Sequence, residues 1–444
     1  MRAAGLLTIR AGAPATLLIR GARVLDPATG LDGITDLLVR DGRIAAIGDG
    51  ITASDEAEIV EADGLTLLPA FLDPHVHLRT PGQEHEEGID SGTAAAAAGG
   101  FATILAMPNT DPVVDSASVM QSLHERAASE AVVAVGFLGA ISLGQRGEQL
   151  AELGALADAG AVGYSDDGHP VERAGLLRRA FQYASITGRV LSLHCEELSL
   201  TRGSAMHEGA VSALLGIGGY PSIGESLMVA RDLRIARYEG QPIHLCHLHV
   251  RESVDEVREA RALGVDVSAE ASPHHLLLTD DEVRSLDPNL RMSPPLAGEL
   301  DRQSLIEALR DGTIDCVATD HAPHAPEEKD VPFEAAANGT TGLETAFPAL
   351  CRGLVEPGLI ELGTLVARMT SGPARAFGLE VPRIAVGEPA NIALWDLDER
   401  YTVSDSDLRS RSHNNAFLGR EVLGRCRLTV ASGQIAHRHA AVPA

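Results

Sequence analysis

The sequence predicts an α/β protein, a (β/α)8 TIM-like barrel with a small β-sandwich domain formed from both chain ends. Two observations lead there: eight short apolar strand candidates alternate with helical patterns between residues 66 and 321, and both ends share a texture of short strands and tight turns. The strand candidates are 68–72, 102–107, 131–138, 161–164, 190–193, 243–246, 266–269 and 316–318. Helical patterns at 92–98, 115–128, 147–159, 174–184, 224–238 and 253–262 lie between them, each closing near a glycine or a polar turn. Strand and helix repeated eight times predict a parallel barrel, whose functional groups gather at the carboxyl ends of its strands.

The first 65 residues read as strands 15–24, 36–40 and 43–47, with an Asp41-Gly42 turn before the last. After about residue 380 the texture returns in 391–395, 425–430 and 434–437, around a Ser432-Gly433 turn. The expected division is 1–65 and 379–444 as the two parts of the sandwich and 66–378 as the barrel, the alternative being that each end packs separately on the middle.

Composition supports an ordinary globular chain. Its 444 residues are 45% apolar and 22% charged, with 45 glycines and 23 prolines, which excludes collagen, coiled coil and disorder. A formal charge of −26, from 62 acidic and 36 basic residues, repels phosphate backbones and anionic lipid, so neither nucleic acid nor membrane is an expected partner. Five scattered cysteines without a CxxC pair, and no signal-like segment or long apolar run, point to a reduced, cytoplasmic setting. A single lysine, Lys329, stands among the basic residues.

Chemistry-bearing residues sit where the strands end. Strand one runs into Asp73-Pro74-His75-Val76-His77-Leu78-Arg79, and alternation turns His75 and His77 to one side, where two imidazoles can share a cation. A lone HxH pair is often two ordinary histidines; its position carries the weight. Strand four ends in Ser165-Asp166-Asp167-Gly168, strand five in His194-Cys195-Glu196-Glu197, strand six in His247-Leu248-His249, and strand eight in Thr319-Asp320-His321-Ala322-Pro323-His324. Four histidines with two aspartates suffice for one or two zinc-like ions. Cys195 and Cys246 alternate away from the histidines beside them and are expected to be structural.

The runs DPHVHLR (73–79), AMPNTDP (106–112), YSDDG (164–168), HCEE (194–197), CHLH (246–249), AEASPHHLLLT (269–279) and ATDHAPH (318–324) resemble the dihydroorotases of the amidohydrolase superfamily, in their order and over nearly the whole chain. Many relatives bridge two metals with a carboxylated lysine on strand four; here the sole lysine follows strand eight, and a carboxylate must substitute. The resemblance implies Zn2+, one or two ions, held by His75, His77, Asp167, His194, His247 and Asp320. It gives Asp167 the bridging place, with Asp166 as the alternative. A divalent metal lowers the pKa of its water to about 7 and polarises a carbonyl, and Asp320 is expected to take and return the proton.

The implied reaction is the reversible cyclisation of N-carbamoyl-L-aspartate to (S)-dihydroorotate in pyrimidine synthesis. Arg79 is expected to hold the substrate carboxylate, and Asn109 and His324 to add hydrogen bonds. Two departures stand at Ser293, before Pro-Pro-Leu-Ala rather than the family's Pro-Pro-Leu-Arg after asparagine, and at Asn338-Gly339 in place of a Pro-Phe-Gly run. Ser293, Asn338 and Gly339 are therefore candidate ring-recognition residues, and a hydantoinase- or allantoinase-like activity is the alternative. A third reading is a weakly active homologue that serves as a scaffold for aspartate transcarbamoylase; a homodimer is also compatible with the sequence. The stretch 322–341 reads as a long, structure-poor loop at the mouth, of the kind that forms lids.

Overall fold

The structure, a computed structural model, describes residues 5–52 and 57–440; the outermost positions of both terminal regions and 53–56 lie outside the described residues. The chain opens with β1 (Leu17–Asp26), β2 (Leu31–Arg40), β3 (Arg43–Gly48), β4 (Glu58–Glu61) and β5 (Thr66–Pro69). It continues through β6 (Phe71–Val76), β7 (Phe101–Ala106), β8 (Ala134–Phe137), β9 (Gly163–Tyr164) and β10 (Val190–Leu193). A short parallel pair, β11 (Met206–His207) and β12 (Gly219–Tyr220), precedes β13 (Ile243–Leu245), β14 (Val267–Ala271) and β15 (Cys316–Val317). The last strands are β16 (Ile392–Thr402), β17 (Glu421–Ala431) and β18 (Gln434–Arg438).

The middle strands pair in parallel as β6-β7-β8 and β9-β10-β13-β14-β15. Parallel bridges between Gly139 and Tyr164, and between Val76 and His321, join the two runs at both margins. Every residue of β6, β8 and β10 is buried, as expected of parallel strands covered on both faces. Helices supply the cover. Ile223–Glu239 turns Met228, Val229, Leu233 and Ala236 inward and stops at Gly240, whose φ of 64° suits glycine at a helix end.

The two chain ends share one eight-stranded sheet in the order β18-β17-β16-β5-β1-β2-β3, with β4 on β1. The link is β5 lying antiparallel to β16, Leu67 opposite Leu394. The two anticipated turns meet: a Cβ on Gly433 would stand 2.4 Å from Gly42 O, and Ala15 N donates to Gly433 O at 2.7 Å. With φ of 75° at Gly42 and 79° at Gly433, both positions need glycine for conformation and for space. Trp395 of β16 then packs on Phe347 (centroids 4.5 Å) and Phe71 (5.8 Å), tying this sheet to the first strand of the middle.

Several boundaries differ from expectation. The predicted helix 147–159 shortens to Leu153–Asp158, because Gly144 and Gly147 take positive φ and the chain turns there instead. The expected strand 68–72 divides into the end of β5 and the start of β6, and the short β4 escapes pattern reading since it pairs with β1, distant in sequence. Stretch 322–341 is not structure-poor: Pro326–Lys329 and Phe333–Ala335 form helical turns. The buried Lys329 explains it, its Nζ donating to Ala337 O (2.7 Å), Pro288 O (3.0 Å) and Arg291 O (3.3 Å).

Candidate active site

The carboxyl ends of the middle strands converge on a cavity of about 380 Å3. It is lined by every residue in the expected metal-binding and substrate-binding set except His75: His77, Arg79, Asn109, Asp167, His194, His247, Ser293, Asp320, His324, Asn338 and Gly339. His75 lies beneath it, fully buried.

First and last strands are locked together under the cavity. Asp73 takes Thr319 Oγ1 at 2.5 Å and Thr319 N at 3.1 Å, and His77 N donates to His321 O at 2.8 Å. Of the seven non-glycine residues with positive φ among those described, Arg79 (51°), His247 (27°) and Asp320 (48°) are at this site. Such backbone is held only where its surroundings over-determine it, and here it turns side chains inward from the strand tips.

Asp167 sits among four imidazoles. Its Oδ1 lies 3.5 Å from His75 Nε2, 3.5 Å from His247 Nε2 and 3.8 Å from His194 Nδ1, while Oδ2 is 3.6 Å from His77 Nε2. Asp320 Oδ1 stands 3.1 Å from His77 Nε2 and 3.5 Å from His75 Nε2. Asp166 turns the other way, accepting from Ile141 N (2.8 Å), Ser142 N (3.1 Å) and Ser142 Oγ. The two adjacent aspartates thus have separate surroundings, and only Asp167 joins the histidines.

The donor set fits a divalent ion. Four ligands about 2.1 Å from one zinc stand about 3.4 Å from each other, close to the spacings here. His75 Nε2 and Asp167 Oδ1 are buried without a hydrogen bond, which is costly for groups that have nothing to bind. The opposite ring nitrogens are engaged: His75 Nδ1 donates to Glu270 Oε1 (2.7 Å), His77 Nδ1 to Asn109 Oδ1 (2.9 Å) and His194 Nε2 to Glu196 Oε2 (3.0 Å). In the neutral ring each such bond places the proton on the outer nitrogen and would leave the inner one to a metal, the arrangement that metal-binding histidines use; His77 Nε2 also meets Asp320 Oδ1 at 3.1 Å and His194 Nδ1 meets His247 Nε2 at 3.0 Å. Among the described residues, two of the candidate ligand groups lie in this cluster, His75 with Asp167 and His247, and His75 with His77 and Asp320; His194 falls in neither.

Burial lowers His75, but Asp167, Glu270 and Asp320 more than reverse this and hold it well above the ordinary imidazole range, so rings and carboxylates stabilise each other's charge. Burial pushes the Asp167 carboxyl up, but His75, His247 and His77 more than reverse this and hold it well below the ordinary range. Burial likewise raises Asp320, and the same rings bring it down to about 2. Both carboxylates are anionic acceptors at neutral pH.

Also lining the cavity, Arg79 is buried, its Nε 3.0 Å from Pro323 O and 3.2 Å from Glu86 Oε2, with Nη2 3.2 Å from His324 Nε2. His324 Nε2 also lies 2.8 Å from Asn338 O, so the ring proton decides which neighbour that nitrogen serves. Asn109 faces His77 as well as the cavity, a role beyond the substrate contact expected of it. Pattern reading passed over Glu270 and Glu86. Glu196 lay in the quoted HCEE run without an assigned role, although a carboxylate two residues from a ligand-type histidine was the available signal.

Comparisons with known proteins give the family. Residues 64–253 match a family model described as dihydro-orotase-like, and residues 229–437 one described as amidohydrolase family. Dihydroorotases of Anaeromyxobacter sp. (strain K) and Geobacter sp. (strain M21) are 44% and 43% identical to it, over 95% of this chain and 98% and 99% of theirs. The chain belongs to the dihydroorotase family. Its fold extends to other cyclic amidohydrolases: an L-hydantoinase (dihydropyrimidinase) from Arthrobacter aurescens superposes with a TM-score of 0.85 at 25% identity, covering 96% of this chain and 97% of that one. Like its family, the chain is α/β. No described helix is long and apolar enough to cross a membrane, and all five cysteines are buried and free.

Proposed function

We propose that this chain is a zinc-dependent dihydroorotase that interconverts N-carbamoyl-L-aspartate and (S)-dihydroorotate. The observation that carries the proposal is the match of 44% over nearly the full length of proteins named dihydroorotase, beside four histidines gathered round Asp167, with Asp320, at the base of the cavity. The architecture supporting it is a (β/α)8 barrel, favoured by the parallel bridges that join both margins of the middle strands. A sandwich of the chain ends is favoured by an apolar core shared among Leu17, Leu37, Ile44, Leu67, Leu394 and Leu428. The corresponding divisions are 1–65, 66–378 and 379–444.

His75, His77 and Asp320 would hold one ion, and His194 and His247 a second, with Asp167 between them. Bound there, a divalent metal supplies an activated water and a Lewis acid for the amide carbonyl. The remaining work falls to the chain. Arg79 and His324 receive the substrate carboxylate and set the ring over the cluster, with Asn109, Ser293, Asn338 and Gly339 as the adjoining wall. In hydrolysis Asp320 accepts the proton of the attacking water at a carboxylate oxygen and delivers it to the ring nitrogen as the N–C bond breaks. In cyclisation the ureido nitrogen joins the side-chain carboxyl carbon, and the same group returns the proton to the departing water. Arg79 and Asp320 both line the cavity, and binding and proton transfer use separate groups.

Purified protein assayed with dihydroorotate, hydantoin and allantoin tests this. Turnover of dihydroorotate in large excess over the others is expected; preference for hydantoin or allantoin would transfer the site to the sister chemistry.

A further inference from the structure

One part of the site's scaffold comes from outside the middle of the chain. Between β16 and β17, residues 408–417 leave the terminal sheet and run behind the wall that carries Arg79 and His324. Ser410 Oγ and Arg411 N both donate to Glu87, and Ser412 Oγ donates to Glu86 O at 2.7 Å. Glu86 in turn meets Arg79 Nε at 3.2 Å.

Asn414 spends its whole side chain on this wall. Its Oδ1 accepts from His324 N at 3.0 Å, and its Nδ2 donates to Ala322 O at 3.0 Å and Gly339 O at 3.1 Å. Its carbonyl accepts from Thr341 N at 2.8 Å. One planar amide, 5% exposed, therefore fixes the separation of two cavity segments, the one bearing His324 and the one bearing Gly339. None of these bonds reaches His75, His77, Asp167, His194, His247 or Asp320. The neighbouring Asn415, 1% exposed, uses its Nδ2 on Thr341 and Thr345 instead.

We propose that Asn414 is a positioning residue for substrate recognition, through which a strap from the C-terminal part of the chain sets the carboxylate end of the pocket. The proposal rests on the reading that Arg79 and His324 take the substrate carboxylate. Two-pronged recognition of a carboxylate depends on fixed donor geometry, and a shift of about 1 Å is enough to weaken it severely. The strap's bonds reach the segments bearing His324 and Gly339 and, through Glu87, His321 Nε2 at 3.2 Å, but no side chain assigned to the metal or to proton transfer, so loss of Asn414 acts on binding before turnover.

The test compares Asn414→Ala with Asn415→Ala, an equally buried control on the same strap. It measures KM and kcat for dihydroorotate, metal content, melting temperature, and calorimetric affinity for orotate, a ring that carries the same carboxylate. Asn414→Ala is expected to raise KM and weaken orotate about tenfold, with kcat within about threefold and metal content unchanged. Asn415→Ala is expected to lower the melting temperature comparably while KM stays within about twofold. A KM that moves less than twofold in Asn414→Ala, or rises equally in both variants, overturns the proposal. Should Asn414→Ala fail to fold, Asn414→Asp keeps the acceptor for His324 N and sets a carboxylate oxygen against the Ala322 and Gly339 carbonyls; an unchanged orotate affinity there also overturns it. A wild type inactive on dihydroorotate fails the functional reading, and the orotate titration, which needs no turnover, still decides the role of Asn414. A wild type that binds no orotate refutes both.

Discussion

The strand-tip cavity and the terminal sheet both join stretches far apart in the chain, and they do so with opposite chemistry. In the terminal sheet the joint is apolar: Leu67 and Leu394 are fully buried in a cluster with Ile392, Leu428 and Val430. At the cavity the joint is ionic and incomplete, with His75 Nε2 and Asp167 Oδ1 buried and not hydrogen-bonded. An ion bound among them would relieve the cost of about 1–3 kcal/mol that each unsatisfied buried polar atom carries. The sheet stabilises the molecule, and the cavity uses part of that stability to hold polar groups apart.

Substitutions in the two regions should therefore separate cleanly. The largest effect is expected at Asp320→Asn, which removes the proton carrier and should lower kcat roughly a thousandfold with the melting temperature little changed. Steady-state kinetics with thermal denaturation checks it; a kcat within tenfold of wild type would remove Asp320 from proton transfer. Next, Leu394→Ala should cost about 2–5 kcal/mol in denaturant unfolding while the folded protein keeps its kcat. Loss of activity without loss of stability would mean that the sheet takes part in the chemistry.

A smaller and finer effect is expected at Glu270. It holds His75 Nδ1 at 2.7 Å and His244 Nε2 at 2.9 Å, and receives His247 N at 3.2 Å. Burial alone would raise this carboxyl; His75 and His244 depress it strongly, so it is an anion facing His75 at neutral pH. Glu270→Gln removes that charge and should weaken zinc binding by about 10–100-fold in competition with a chelator. Unchanged affinity would show that the His75 tautomer is set without it.

What the sequence disclosed follows from distance along the chain. His75 with His77, the Asp166-Asp167 pair and the run around Asp320 were legible because each lies within a few residues of a strand end, where alternation and turning rules apply. Glu270 was not, because its partner His75 is 195 residues away, and a glutamate in a strand carries no local sign of what it meets. Asn414 lies 90 residues from His324, in a stretch whose texture indicated only the terminal strands. The same reason hid the division of the expected strand 68–72 into β5 and β6, since β16, the partner of β5, closes the sheet from the far end of the chain. Lys329 shows the converse: its isolation ruled out the lysine-bridged form of the site, while its burial among three carbonyls appeared only in the fold.

Crystals grown with zinc, measured by anomalous scattering at the zinc edge, bear most directly on the cation centre. One or two peaks enclosed by His75, His77, Asp167, His194, His247 and Asp320 are predicted, with Asp166 remote from both. A featureless map at that position with zinc in excess, or a peak held by other residues, would contradict the account.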